Sequence, residues 1–463
     1  MPLGVAGRPV VRQRPGRGVA SYMTAFAIAA GGAYGAVALL TEDKSQHSGV
    51  QRTAVPNPRI PTAEAQGRSE CPRAPAFTSG KLGAVAYEGS GGLHVVRVSS
   101  GKKATLRPEG VRANDLHPVA WSPSGRWIAS GPGDLVPAVG GPVCRPLEKR
   151  ASGFQWSPTG DRFVAQTENG ALWQGKPSGA KRRLLPPNWG VDSYAFHTSG
   201  RFLAVARLHR AGPNVPNAGI WMLDLAEGTK TQILPLRSPG PTPRIATWSP
   251  DGQWILYWET VGLSASLSAD GGPLKAVSVS GGEPVTVVNE MLFYRDFLTW
   301  CDDALVATAG GGREVTVDKH LVAASPPDWS AERLEPARDS SVFWPDCSPE
   351  GVWVAASATP NRSEERFGSL ERRVVFFPVT DPSAQGGFSV YYPRLSAEFP
   401  SWSRNRPGRY TTMLFVGRSP KRRGEARLFL QQGKKQVQLA RIGTIPGYYG
   451  AFPYESVLDW YQP

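Results

Sequence analysis

Histidine, cysteine and the short signatures of catalysis are scarce in this chain. Six histidines occur in 463 residues, His47, His94, His117, His197, His209 and His320, and none stands at an H-E-x-x-H or other metal-binding interval. The four cysteines, Cys71, Cys144, Cys301 and Cys347, form no C-x-x-C pair, which removes the usual redox and zinc signatures. There is no G-x-S-x-G nucleophile elbow. No metal site, cofactor or catalytic residue is therefore assigned, and the chain reads as non-catalytic. A site gathered from distant residues would escape this kind of search.

What is present is a repeat. The copies are WSPSG at Trp121, WSPTG at Trp156, FHTSG at Phe196, WSPDG at Trp248, WCDDA at Trp300, CSPEG at Cys347 and WSRNRPG at Trp402, with a truncated copy at Trp460. Their mean spacing is about 48 residues, the range of four-stranded propeller blades. Each part of the motif has a physical reading. The Trp ends a short apolar strand and supplies a buried wedge, Pro presets φ for a turn, and Asp-Gly or Ser-Gly gives the turn its polar bond and its positive φ. A β-branched or aromatic strand follows every turn, as in RFLAVA (Arg201 to Ala206) and WILYW (Trp254 to Trp258). No amphipathic helix is visible in between.

Before the first motif, AVAYEG, LHVVRV and ATLR read as the last three strands of a blade that lacks its first. SVLDWYQP (Ser456 to Pro463) supplies an apolar strand ending in the Trp column, so the expectation is an all-β propeller of eight four-stranded blades, closed by the C-terminal strand. Seven blades is the alternative, because the repeat at Trp121 is only 35 residues long.

Motif and strand rhythm together resemble the TolB-like, WD-type β-propeller repeat family over roughly residues 80 to 463. The resemblance implies the fold and says little of function, since propellers of this kind serve unrelated purposes. TolB carries an α/β domain ahead of six blades; this chain has neither that domain nor that number, so a role in a Tol-Pal system does not carry over. Nor is there room for the hydrolase domain of prolyl-oligopeptidase-like enzymes.

Residues 1–20 are basic and acid-free, and residues 21–41 hold the uncharged run Ser21 to Leu40. Twenty residues at 1.5 Å rise reach about 30 Å, so this run reads as a membrane anchor or an export signal, with the basic flank inside and the propeller outside. Cleavage near Ala38 is the competing outcome. Residues 42–70, rich in Pro, Ser, Thr and charge, read as a disordered tether to a propeller domain at 71–463. The expected location is the cell membrane, single-pass, with a secreted chain as the alternative. In an exported chain four cysteines make two disulfides, and Cys71 with Cys144 and Cys301 with Cys347 are the favoured pairs. Cys347 also reads as a small apolar replacement for Trp.

Charge is uneven. Of the net +14, residues 394–441 carry +10, with Arg404, Arg406, Arg409, Arg418, Lys421, Arg422, Arg423, Arg427, Lys434 and Lys435 forming a candidate basic patch. The bland reading is solvated loops. The functional one is a docking surface for a protein, an anionic envelope polymer or a membrane surface, and export makes nucleic acid an unexpected partner. An exported enzyme or small-ligand binder with a site at the channel mouth, of lyase, lactonase or glycan-processing type, is the rival reading.

Overall fold

The computed structural model describes residues 69–463 apart from 79, 90, 108–117, 209–217, 236–240, 261–268, 335–338, 364–370, 380–388, 391–394, 405–411, 420–424, 446, 448 and 453. The expected basic N-terminus (1–20), anchor or signal (21–41) and nearly all of the tether (42–70) lie outside the described residues, as do Arg406, Arg409, Lys421, Arg422 and Arg423. Among the described residues no helix is long and apolar enough to cross a membrane.

Eight antiparallel sheets follow one another along the chain. Blade 1 pairs Leu458–Tyr461 with Ala84–Gly89, Gly92–Arg97 and Lys103–Arg107. Blade 2 is Ala120–Trp121, Trp127–Ser130 and Asp134–Pro137. Blades 3 to 8 begin with the inner strands Ala151–Trp156, Val191–Phe196, Thr242–Trp248, Leu298–Cys301, Ser340–Cys347 and Ser396–Trp402, each followed by three more strands outward. The C-terminal strand closes the ring, with Ala84 opposite Tyr461 and Tyr87 opposite Leu458.

The count of eight removes the seven-bladed alternative. Blade 2 departs from the expected four strands. Its outer edge meets only the isolated bridge Leu135 to Cys144, because a 35-residue repeat broken by Gly140, Gly141 and Pro142 leaves too little chain for a fourth strand.

The Trp column does more than fill space. Each indole N–H that reaches back donates to the carbonyl just before the column residue of the preceding blade: Trp121 to Asp459 at 3.2 Å, Trp156 to Ala120 at 3.0 Å, Trp248 to Ala195 at 3.0 Å and Trp402 to Asp346 at 3.1 Å. Neighbouring sheets are thus latched as well as packed. Blade 7 has Cys347 in the column and so has no indole to donate. There the structure places a disulfide to Cys301 of blade 6, Cα to Cα 5.4 Å.

The turns after the column also stack around the ring. Gly252 (φ 72°) lies against the His197 ring of blade 4, and Gly351 (φ 72°) against the Asp302 carboxylate of blade 6, closer than any Cβ could stand. His197 is a turn residue: its Nδ1 is 2.7 Å from Ser199 Oγ and its ring packs edge-on to Trp248.

The chain enters on this same turn side. The Cys71 N–H donates to Pro177 O at 2.9 Å in a turn of blade 3, and the Phe77 N–H to Gly125 O at 3.1 Å in a turn of blade 2. A disulfide from Cys71 to Cys144, Cα to Cα 5.2 Å, fixes this entry.

Candidate functional site

The basic patch of blade 8 divides once its partners are seen. Arg404, exposed, pairs with Asp346 of blade 7 at 3.1 Å. Arg427 and Arg441 both pair with Glu425, Arg427 at 3.5 Å. Lys434 and Lys435 stand exposed at the tip of the hairpin joining Glu425–Gln432 to Lys435–Thr444, with no ion pair among the described residues. Arg418 does not belong to the patch. It is 7% exposed and donates to Glu398 Oε1 from Nε at 3.1 Å and from Nη2 at 2.8 Å. Its strand, Thr412–Arg418, is buried along its whole length, so the guanidinium is accommodated only because a carboxylate waits inside.

Glu398 is the centre of a buried ionic cluster. Besides Arg418 it accepts hydrogen bonds from Ser396 Oγ at 2.9 Å and from the Tyr454 hydroxyl, and its Oε2 lies 3.3 Å from Arg372 Nη1. Burial pushes the carboxyl up, but Arg372, Arg418 and Tyr454 outweigh it and hold Glu398 below its ordinary value. The Arg372 guanidinium lies over the rings of Phe343, Trp344 and Phe452 at 5.2, 5.4 and 5.5 Å.

This cluster anchors a strap. The described residues from Ile445 to Val457 connect the outermost strand of blade 8 to the innermost strand of blade 1, and their hydrogen bonds carry them across one mouth of the ring. On the way Tyr449 O accepts from Val315 N–H of blade 6 at 3.1 Å, Gly450 O from Arg372 of blade 7 at 2.9 Å, and Ser456 O from Val119 N–H beside blade 2 at 3.1 Å. The space beneath is aromatic: Tyr454 stands 5.2 Å from Trp344 and 5.3 Å from Phe399. Trp344 (φ 56°) and Phe399 (φ 51°) hold equivalent bulged positions, each before a proline, in the inner strands of blades 7 and 8. A left-handed φ on a bulky aromatic is costly and persists where surrounding packing demands it.

On the opposite side of the ring the inner wall is polar and internally bonded. Tyr194 O accepts from Gln155 Nε2 of blade 3 at 2.7 Å and from Arg295 Nη2, ahead of blade 6, at 3.0 Å. The described histidines do not gather there: His94 is in blade 1, His197 in blade 4 and His320 in blade 6. Among the described residues no group of three His, Cys, Asp or Glu side chains could hold a metal ion.

The chain is an eight-bladed β-propeller. No protein-family model and no curated relative matches it. Among solved structures it is similar to the C-terminal WD40 domain of Sif2 (13% identity, TM-score 0.47, 80% of this chain and 95% of that one). It is also similar to a putative TolB from Agrobacterium tumefaciens (16%, 0.33, 57% and 86%) and to an oligogalacturonate lyase from Vibrio parahaemolyticus (11%, 0.42, 65% and 80%). The fold assignment rests on the eight sheets and their shared turn motif.

The Glu398 cluster and the strap went unseen in the sequence. The signals available were Glu398 itself, a lone acid in a basic stretch, and the aromatic run Tyr448, Tyr449, Phe452 and Tyr454 just before the closing strand.

Proposed function

We propose that this propeller is a non-catalytic interaction scaffold, held outside the cytoplasm by residues 21–41 and docking an anionic partner through basic residues on its rim. The observation that carries this reading is the strap. Propeller enzymes and small-ligand binders use the channel mouth, and here one mouth is filled by Trp344, Phe399, Phe452 and Tyr454 around a buried ion cluster centred on Glu398. A group as fully paired as Glu398 has neither the exposure nor the raised pKa that a general acid needs. Two disulfides fit an oxidising compartment.

Location and docking are tested together. A membrane-impermeant amine reagent applied to intact cells should modify lysines of the propeller, and the full-length chain should fractionate with membranes. A mature N-terminus at Leu39 would leave a secreted propeller instead. Retention on anionic vesicles or envelope polymers should fall as salt shortens the Debye length from about 10 Å at 0.1 M to about 3 Å at 1 M. Replacing Lys434 and Lys435 together by Gln should weaken it without changing the melting temperature. Binding indifferent to salt and to this change would reduce blade 8 to a solvated surface.

A further inference from the structure

In a four-stranded meander the turns after the first and third strands leave on one side of the ring, and their charges are not mixed at random. On blades 5 to 7 the exposed charges at these turns are carboxylates: Asp251 and Glu283, Asp302, Asp303 and Asp328, and Glu350, with Glu332 and Arg333 offsetting each other. On the remaining blades the described ones are mostly cations, the exposed acids including Glu227 of blade 4, 3.9 Å from Arg201, and Glu70 of the entering chain. Lys434 and Lys435 of blade 8, Lys102 and Lys103 of blade 1, Arg126 of blade 2, Lys176 of blade 3 and Lys230 of blade 4 are all exposed, and none has an ion pair among the described residues. Among the described residues the turn side is therefore two-toned, with a basic arc through blades 8, 1, 2 and 3 that fades on blade 4, where Asp224 and Glu227 offset Arg201, and an acidic arc over blades 5, 6 and 7.

The second observation is where the chain arrives. Residues 1–68 lead into Ser69 and Glu70, which lie against Gly179 in a turn of blade 3, and the following residues run over the turns of blades 3 and 2. The Cys71 to Cys144 disulfide pins that entry, so whatever precedes it leaves from the middle of the basic arc.

We infer that the turn side of the ring is a lipid-docking surface: the basic arc lies on the anionic headgroups of the bilayer in which residues 21–41 are anchored, and the acidic arc is held away from it. This rests on the reading of residues 21–41 as an anchor and adds the surface, the orientation and the partner. The tether brings the ring to the bilayer at high effective concentration, so modest attraction is enough to orient it. Each basic side chain near an anionic bilayer contributes about a five-fold factor in partitioning. A uniformly basic rim would bind in any orientation, whereas this polarised one has a single favoured side.

The test uses the full-length chain reconstituted in vesicles of phosphatidylcholine alone or with phosphatidylglycerol added, read by amide hydrogen exchange. On the anionic vesicles the turns around Lys102, Lys176 and Lys434 should exchange several-fold more slowly than on the neutral ones. The turns around Asp302 and Glu350 should not change. High salt should abolish the difference, and so should the triple change Lys102→Gln, Lys176→Gln and Lys434→Gln, which removes roughly a hundred-fold from the docking equilibrium at about five-fold each. Asp302→Asn with Asp303→Asn serves as the control that folds alike and docks alike. If the chain stays in both vesicles and the turns exchange equally, the docking surface is wrong while the anchor stands. If neither vesicle retains the chain, the anchor is wrong, and slowing on anionic vesicles added from outside decides the surface alone. Slowing confined to blades 5 to 7, or equal slowing by soluble polyglutamate without vesicles, overturns the lipid assignment.

Discussion

Asp459 makes the ring's closure pH-dependent in an unusual sense. It sits in the closing strand, where one carboxylate oxygen accepts the Trp121 N–H of blade 2 at 2.7 Å. Burial pushes its pKa from 3.8 up to about 6, and the N–H groups of Trp121 and Trp460 only partly offset this. The native state therefore keeps a proton that the unfolded chain has already released between pH 3.8 and 6. Stability from this group is fully present below the unfolded value, falls as pH rises through that window, and stays lower above it. At about 1.4 kcal/mol per unit the loss is at most about 3 kcal/mol, and less for a carboxyl that is only half-buried. Asp459→Asn cannot ionise yet keeps an oxygen for the Trp121 N–H. It should raise the melting temperature by a few degrees at pH 7.5 and leave it nearly unchanged at pH 4. Melting curves of both proteins across that range are the assay. An equal gain at both pH values, or a loss at pH 7.5, would refute the argument. Asp346 holds the same place in blade 7 and is also raised by burial, but there Arg404 opposes the shift, so the corresponding Asn variant should gain less.

Deleting Ser456 to Pro463 removes the inner strand of blade 1 and exposes an unpaired edge, so the truncated chain should aggregate or fail to export; one that melts like the full chain would refute closure. Glu398→Gln leaves Arg372 and Arg418 buried without their counter-charge and should cost about 3–5 kcal/mol in denaturant unfolding. Reducing the Cys301 to Cys347 bond, which spans 46 residues, should lower stability by up to about 4 kcal/mol. Combining Cys301→Ser with Cys347→Trp should recover part of that loss and become insensitive to reductant, because an indole there could donate to the Thr299 carbonyl as its counterparts do elsewhere.

The blade count was legible because most first turns repeat the same chemistry, and even degenerate copies such as Phe196 and Cys347 kept a glycine four residues on. Blade 2 was misread because period counts turns and not strands. Arg418 was misread for a different reason: a charge tally sees neighbours in sequence, and Glu398 lies twenty residues away on the adjoining strand. The indole latches were invisible because their acceptors are backbone carbonyls, which every residue carries. The strap has no period at all. Its course over the mouth is set by contacts with blades 6, 7 and 2 that are far away in sequence.

The closing strand also sets a timetable. Ala84 to Gly89 leaves the ribosome before every other described strand, but its inner neighbour, Leu458–Tyr461, is made after all of them. No ring can close before that strand has been made, and blade 1 waits with one flank bare while the other sheets assemble behind it. A chain obliged to finish late suits passage through a narrow translocation pore, since threading needs an unfolded polymer. It also makes the interval between arrival and closure the time when this protein most needs a chaperone.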